Sequence, residues 1–202
     1  MLEDQIDIIY SEGEPVTFLS RTPTSGSYAL ITQLEKNASP NMRIEAVMRN
    51  LCCLASDSVV AGEIIQSDLT NLIYVTVSRT EDAVENVVLK TVHAAYLTNA
   101  TMTVAQEVES ADQYGNITKT FNTVVSGLPV YADVLNDGLK INTGGLIPTT
   151  HLRVYSIPTS GTLQDRVQLE LNNTLRNFTI QSVDDLSYPN IHILEMISDE
   201  RA

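Results

Sequence analysis

At 202 residues the chain is long enough for one large domain or two small ones, each able to bury a core without disulfide staples. A hydrophobic content of 43% with mean hydropathy near zero excludes disorder, and no apolar run is long enough to cross a bilayer as a helix. The net charge of −13, with Arg21, Lys36, Arg43, Arg49 and Arg79 scattered, excludes tight nucleic-acid binding, which needs clustered Lys and Arg to neutralise phosphates.

The expected fold class is α+β, predominantly β: an N-terminal mixed region over 1–110 and a C-terminal small antiparallel β-barrel or sandwich over 111–202. The start, Met1 to Asp7, is acidic and lacks the basic and apolar regions of a signal peptide, so a protein that is not secreted is expected. Residues 16–20 and 28–34 predict a hairpin across Pro23-Thr24-Ser25-Gly26. Ser39-Pro40 reads as a helix cap followed by proline at the first position. The apolar set Ile44, Val47, Met48, Leu51 and Leu54 then predicts a helix over about 40–55. Strands are expected near 58–65 and 72–78. Thr80-Glu81-Asp82 opens a second predicted helix, about 81–97, with Val84, Val87, Val88, Thr91, Val92 and Ala95 on one face. Its β-branched residues leave a strand reading of 84–92 open.

The polar stretch from Glu107 to Thr118, with a Tyr114-Gly115-Asn116 turn, reads as a domain boundary or a long exposed loop. Beyond it the chain reads as β. Residues 117–125 and 128–135 are strand-like around Ser126-Gly127. Asn136-Asp137-Gly138 signals a hairpin, and Asn142 to Gly145 signals another turn. Strands follow at 151–156, 167–171, 178–183 and 191–197. Leu152 and Val154 alternate with Arg153 and Tyr155, and Phe178 and Ile180 with Thr179 and Gln181. Pro158-Thr159-Ser160-Gly161 followed by Gln168-Leu169-Glu170 and Asn172 repeats Pro23 to Gly26, Gln33-Leu34-Glu35 and Asn37 at one spacing. Two readings stay open: a duplicated β-motif, or two turns drawn from the same turn-forming residues.

Motifs for chemistry are missing. Gly144-Gly145 lacks the lysine and spacing of a phosphate loop, and no Gly-x-Ser-x-Gly elbow occurs. His93, His151 and His192 stand apart in sequence, without metal-ligand spacing. Cys52 and Cys53, being adjacent, form neither an ordinary disulfide nor a zinc site, and read as two small hydrophobes. The acids from Asp133 to Asp137 fail as a calcium loop, because Gly144 stands where the closing carboxylate belongs. No enzyme, cofactor or metal is expected. A cleft bringing His93 or His151 beside a carboxylate would revive an enzyme reading.

Several segments carry a family resemblance: Asp112 to Asn116 leading into Thr118 to Phe121, Leu128 to Asp133, Leu152 to Tyr155, the turn at Pro158, Gln164-Asp165, and Phe178 to Asp184 running into Ile191 to Leu194. Over about 112–197 the chain resembles the neck proteins of tailed bacteriophages, of the head-closure (stopper) or head–tail connector type. That resemblance implies a structural virion protein made in the bacterial host cytoplasm. It would form a homo-oligomeric ring of typically six or twelve subunits between the portal or adaptor and the tail proteins. The DNA would pass nearby without tight binding, and no membrane would be involved. Candidate inter-subunit or channel loops follow: Asp112, Tyr114 and Asn116 in one, Asn136, Asp137 and Lys140 in the other. The alternatives are a tail terminator or other tail or baseplate component, and, in a different class, a ligand- or carbohydrate-binding β-module. Two helices on a sheet within 40–97 would favour the terminator, and two similar barrels a duplicated closure protein.

Overall fold

The computed structural model describes residues 2–21, 26–33, 47–84, 87–134, 141–142, 145–146, 152–159, 161, 163 and 165–199. It is predominantly β and divides into two compact units, one of residues 1–98 with 186–191, the other of 99–185 with 192–202.

In the first unit a helix, α1 (Leu2–Glu12), precedes β1 (Glu14–Phe18), β2 (Ser27–Gln33), β3 (Met48–Leu54), β4 (Ile64–Ser67), β5 (Ile73–Thr76), β6 (Thr80–Val84) and β7 (Val87–Leu97). α1 was not expected; it lies against β2, β3 and β7 and buries Ile9, while Ile8 and Tyr10 stay exposed. Gly13 ends it, donating its N–H to Ile9 O at 3.0 Å in a turn too tight for a Cβ. All strand pairs are antiparallel, in the order β3-β2-β1-β4-β5-β7-β6, and β7 also pairs with β3. Six strands therefore close on themselves, with β6 extending the β5 side of β7. Val16, Phe18, Ala29, Leu51, Cys53, Ile65, Tyr74 and Ala95 fill the interior.

In the second unit the strands are β8 (Ala100–Ala111), β9 (Ile117–Val134), two short pieces β10 (Ile141–Asn142) and β11 (Gly145–Leu146), then β12 (Leu152–Ser156), β13 (Arg166–Leu171), β14 (Thr174–Asp184) and β15 (His192–Ser198). They form a closed barrel, β12-β15-β14-β13-β8-β9, with β9 pairing back onto β12. The expected alternation holds: Leu152, Val154, Phe178 and Ile180 are buried, Arg153, Tyr155 and Thr179 are half-buried and Gln181 is exposed. With Met102, Val104, Val130, Val167, Leu169, Leu194 and Met196 they make an apolar core. Each such side chain contributes roughly 1.5–3 kcal/mol on burial.

Both units repeat one pairing scheme. Taking β1, β2, β3, β4, β5 and β7 against β8, β9, β12, β13, β14 and β15 in order, all six neighbour pairs correspond. In each, the fourth strand returns beside the first, the Greek-key order. The repeated Pro-Thr-Ser-Gly segments do not mark this correspondence. The first lies between the first and second strands of its unit, the second between the third and fourth, and Gln33 ends β2 whereas Gln168 to Glu170 lie in β13. Leu34, Glu35 and Asn37 lie outside the described residues.

Four expectations need correction. Of the expected 40–55 helix Val47 is helical, but Met48–Leu54 is strand β3, followed by a 3-10 turn over Ala55–Asp57; residues 40–46 lie outside the described set. The 81–97 helix is β6 and β7, which satisfy their backbone groups with β3 and β5 and with each other, as β-branched residues favour. The boundary falls at 98/99, not 110/111: Thr98 N–H bonds to Ile73 O in the first unit, and Asn99 N–H to Val130 O in the second. Glu107 to Thr118 is instead the end of the β8–β9 hairpin, the exposed-loop alternative. The two strands expected around Gly127 are one strand, β9, bent where its register against β8 shifts. Gly127 has φ +70° there, the left-handed backbone typical of a glycine bulge.

Gly62 (φ +85°) shows how the segment 186–191 is seated in the first unit. A Cβ there would lie 2.1 Å from the Asn190 carbonyl oxygen, and Ile191 is buried. Gly115 has a similar φ of +83° with nothing within 4 Å. Gly115→Ala is expected to cost about 1 kcal/mol, from backbone strain alone. Gly62→Ala, which must also displace backbone, should cost ~3 kcal/mol or more. Urea unfolding of the two variants beside the wild type measures the difference.

Candidate functional site

Three places collect polar side chains. The first is inside the first barrel. Strand alternation turns Thr91, His93 and Ala95 of β7 inward, all fully buried. The His93 Nδ1–H donates to Ser78 O at 3.2 Å, and Nε2 accepts from the Thr91 hydroxyl at 2.8 Å, so the partners define the neutral tautomer. A helical period puts His93 off the apolar stripe; a period of two puts it in the core. It is a satisfied interior histidine. Burial pushes its pKa from 6.5 down to about 4, with Arg79 adding to the effect and the Ser78 carbonyl opposing it.

The second is a charged cluster on segments flanking β1, β3 and β4. Arg21 donates to Asp57 O at 2.8 Å, approaches Glu63 Oε1 at 3.2 Å, and lies 3.8 Å over the Phe18 ring. Asp57 accepts from the Ser27 hydroxyl at 3.2 Å, and Glu63 from Val60 N–H at 3.2 Å. Burial raises both carboxyl pKa values, with Arg21 acting in the opposite direction. Nearby Cys53 is buried and its thiol is pushed up to about 12, chiefly by burial and then by the Asp57 and Glu63 charges. At neutral pH it is a thiol, and the thiolate is the nucleophile, so the cluster has no activated sulfur. Sequence reading missed the cluster because its members are separated by turns and strands, and no local signal joins them.

The third is the β8–β9 hairpin. Side chains alternate buried and half-buried only as far as Ala105, and beyond it both strands are largely exposed on both faces. From Ala105↔Thr123 to Ala111↔Ile117 the pair projects as a two-stranded ribbon of about 20 Å at ~3.3 Å per residue. Arg166 anchors its base: the guanidinium lies 3.9 Å over the Phe121 ring and pairs with Asp199 at 3.0 Å. At the tip the Asp112 carboxylate accepts from Tyr114 N–H (2.8 Å), Asn116 N–H (2.9 Å) and the Asn116 amide (2.7 Å). These bonds, the Asn116 side chain first, hold its carboxyl below the usual range. Tyr114 is 80% exposed and Ile117 65%.

The structure thus brings Asp112, Tyr114 and Asn116 together on one turn, while Asn136, Asp137 and Lys140 lie outside the described residues. His151 also lies outside them, and His192 is half-buried, 3.4 Å from Thr159 N–H. Among the described residues no group of three or more His, Cys, Asp or Glu is placed to hold a metal, and no helix is long and apolar enough to cross a membrane. Comparison of the chain with family models, curated proteins and solved structures finds no match.

The depressed His93 pKa has a definite sign. The unfolded chain takes up the proton near pH 6.5, the folded one only near 4, so the stability tied to neutral His93 is complete above about 6.5 and is lost as pH falls toward 4. Its full size is on the order of 3 kcal/mol. Asp57 and Glu63, raised by burial, act oppositely: their contribution grows as pH falls. His93→Gln cancels these terms in a comparison. The margin by which wild type exceeds the variant in urea unfolding should shrink from pH 7 to pH 4.5, and a constant margin would contradict the assignment.

Proposed function

We propose that the chain is a non-enzymatic structural virion protein that forms a ring in the neck between phage head and tail, sealing or linking the DNA channel. The observation that carries this reading is the twofold use of one six-stranded pairing scheme, the arrangement a duplicated closure protein would have. The projecting ribbon adds to it, since an isolated two-stranded hairpin is marginal in water and gains most from a neighbour. The charge of −13 suits a wall past which DNA slides, because such a wall must not hold phosphate.

The other readings fare less well. A tail terminator would have helices where β3, β6 and β7 run. A carbohydrate-binding module would stack sugars on aromatic rings, yet the chain has no Trp. Among the described residues, the cavity lined by Asn99, Leu152 and Arg176 in the second barrel has no aromatic side chain.

Mass photometry and negative-stain microscopy of the purified chain, alone and with the portal or adaptor complex of the same phage, test the proposal. The expected outcome is a closed ring whose pore admits duplex DNA, with no gel shift of DNA at physiological salt. A chain that stays monomeric in both settings, or a tight DNA complex, would overturn it.

A further inference from the structure

The ribbon leaves the second barrel at the end where β8 stops and β9 starts. At the other end a cavity of about 320 Å³ is lined by Asn99, Ala132, Val134, Leu152, Leu171, Asn172, Thr174 and Arg176. These residues sit where β9 ends, where β12 begins, and around the two-residue Asn172-Asn173 turn joining β13 to β14, whose residues have φ +49° and +59°. The wall is unfinished on this side. Thr174 and Arg176 occupy the inward-facing positions of β14, two and one alternations before buried Phe178, yet both are exposed, as is Leu175. Among the described residues the Arg176 side chain has no ion-pair or hydrogen-bond partner.

One barrel therefore carries a projection at one end and, at the other, a largely apolar cavity with an exposed cation on its rim. The projection has the matching character. Its tip presents Tyr114 and Ile117, and it carries Glu107, Glu109 and Asp112 against one base, Lys119, which pairs with Glu107 and Glu109 and leaves Asp112 as the carboxylate nearest the tip. We infer that the mouth of the second barrel receives the ribbon tip of another copy of this chain, Tyr114 entering between Val134, Leu152 and Leu171 while Asp112 at the tip meets Arg176. This deepens the ring-forming reading above and rests on it for the choice of a second copy as occupant.

The contact joins two different surfaces of the same molecule. Such heterologous contacts do not close in pairs: each copy gives a tip and receives one, and the series ends only in a ring or continues as a filament. An aromatic anchor in a desolvated pocket, flanked by a charge pair, is also the composition in which interface energy concentrates. Nothing about the fold of the barrel requires the outer ribbon, because the strands that close the wall pair below it, at Ala100 to Ala105.

Three measurements test it on the full-length chain. Tyr114→Cys protein mixed with Thr174→Cys protein under mild oxidation should give a disulfide-linked dimer, whereas Tyr114→Cys mixed with Gln181→Cys, an exposed site on the barrel wall, should not. Replacing residues 109–119 by Asn-Gly, so that Val108 and Thr120 still pair, should abolish rings while leaving the β circular dichroism and melting transition in place. Arg176→Glu should shift the concentration for half-assembly upward by tenfold or more. Rings that persist without the ribbon, or cross-linking equal at both cysteine sites or absent from both in assembled rings, would overturn the contact and leave the ring reading standing. A chain that never assembles would overturn both.

Discussion

Closure of the backbone hydrogen-bond network is the constraint on which everything else in this protein depends. An antiparallel sheet left open exposes a row of unpaired N–H and C=O groups on each edge strand, and these cost stability or invite pairing with other chains. Here the third and sixth strands of each unit pair with one another, so every wall strand has two neighbours. Strand lengths, turn positions and the identity of the inward-facing residues all follow from that ring. The ribbon beyond Ala105 is where the rule is relaxed, because its two strands pair with each other and with no further strand among the described residues. Strand β6 and the short β10–β11 pair also keep an edge, but the ribbon is the longest such departure, which directs attention to it as a place of contact.

The same ring is filled in two ways. The second barrel holds aliphatic residues, methionines and Phe178, whose packing needs no polar partner. The first admits Ser27, Thr76, Thr91 and His93 among its buried residues, and there hydrogen bonding decides whether the interior is stable. His93 is flanked by an acceptor and a donor, and the Thr76 hydroxyl binds the Val60 and Glu63 backbone. Arg21 sets its one charge between the Asp57 backbone and the Glu63 carboxylate. The pairing scheme is thus tolerant of composition, provided each buried polar group finds its partner. That tolerance explains why one architecture can recur in a chain whose two halves show no matching sequence at corresponding strands.

The part of this fold legible in the sequence is the part written locally. Leu152 to Ser156 and Phe178 to Gln181 alternate with period two, and the structure buries the apolar member each time. The Tyr114-Gly115-Asn116 turn is legible from turn chemistry, and the structure adds Asp112 to it through its carboxylate. What could not be read depends on long-range pairing. Val84, Val87, Val88, Thr91, Val92 and Ala95 satisfy helical spacing, but β7 finds β3 on one edge and β5 with β6 on the other, which no window of neighbouring residues reports. The misread period also hid His93, whose interior place is visible only once the strand is known. Polarity at Glu107 to Thr118 suggested a linker because a ribbon wetted on both faces has a linker's composition. The true boundary, Thr98-Asn99, has no composition signal, since two residues suffice to pass the chain from one set of backbone partners to the other.

Net charge limits what kind of self-contact such a chain can make. At −13 per copy, two broad surfaces brought face to face would repel, and salt screens that repulsion only over about 8 Å at physiological strength. A narrow ribbon changes the balance. It keeps the bulk of the two acidic bodies apart by its own length while its tip makes short-range contacts that charge at a distance barely weakens. The contact then needs few residues, and one buried aromatic with one charge pair is enough to set its register. A chain short of bases can afford this only if a base is held in reserve at the receiving surface. Arg176, lining the cavity of the second barrel with no carboxylate paired to it among the described residues, is such a base.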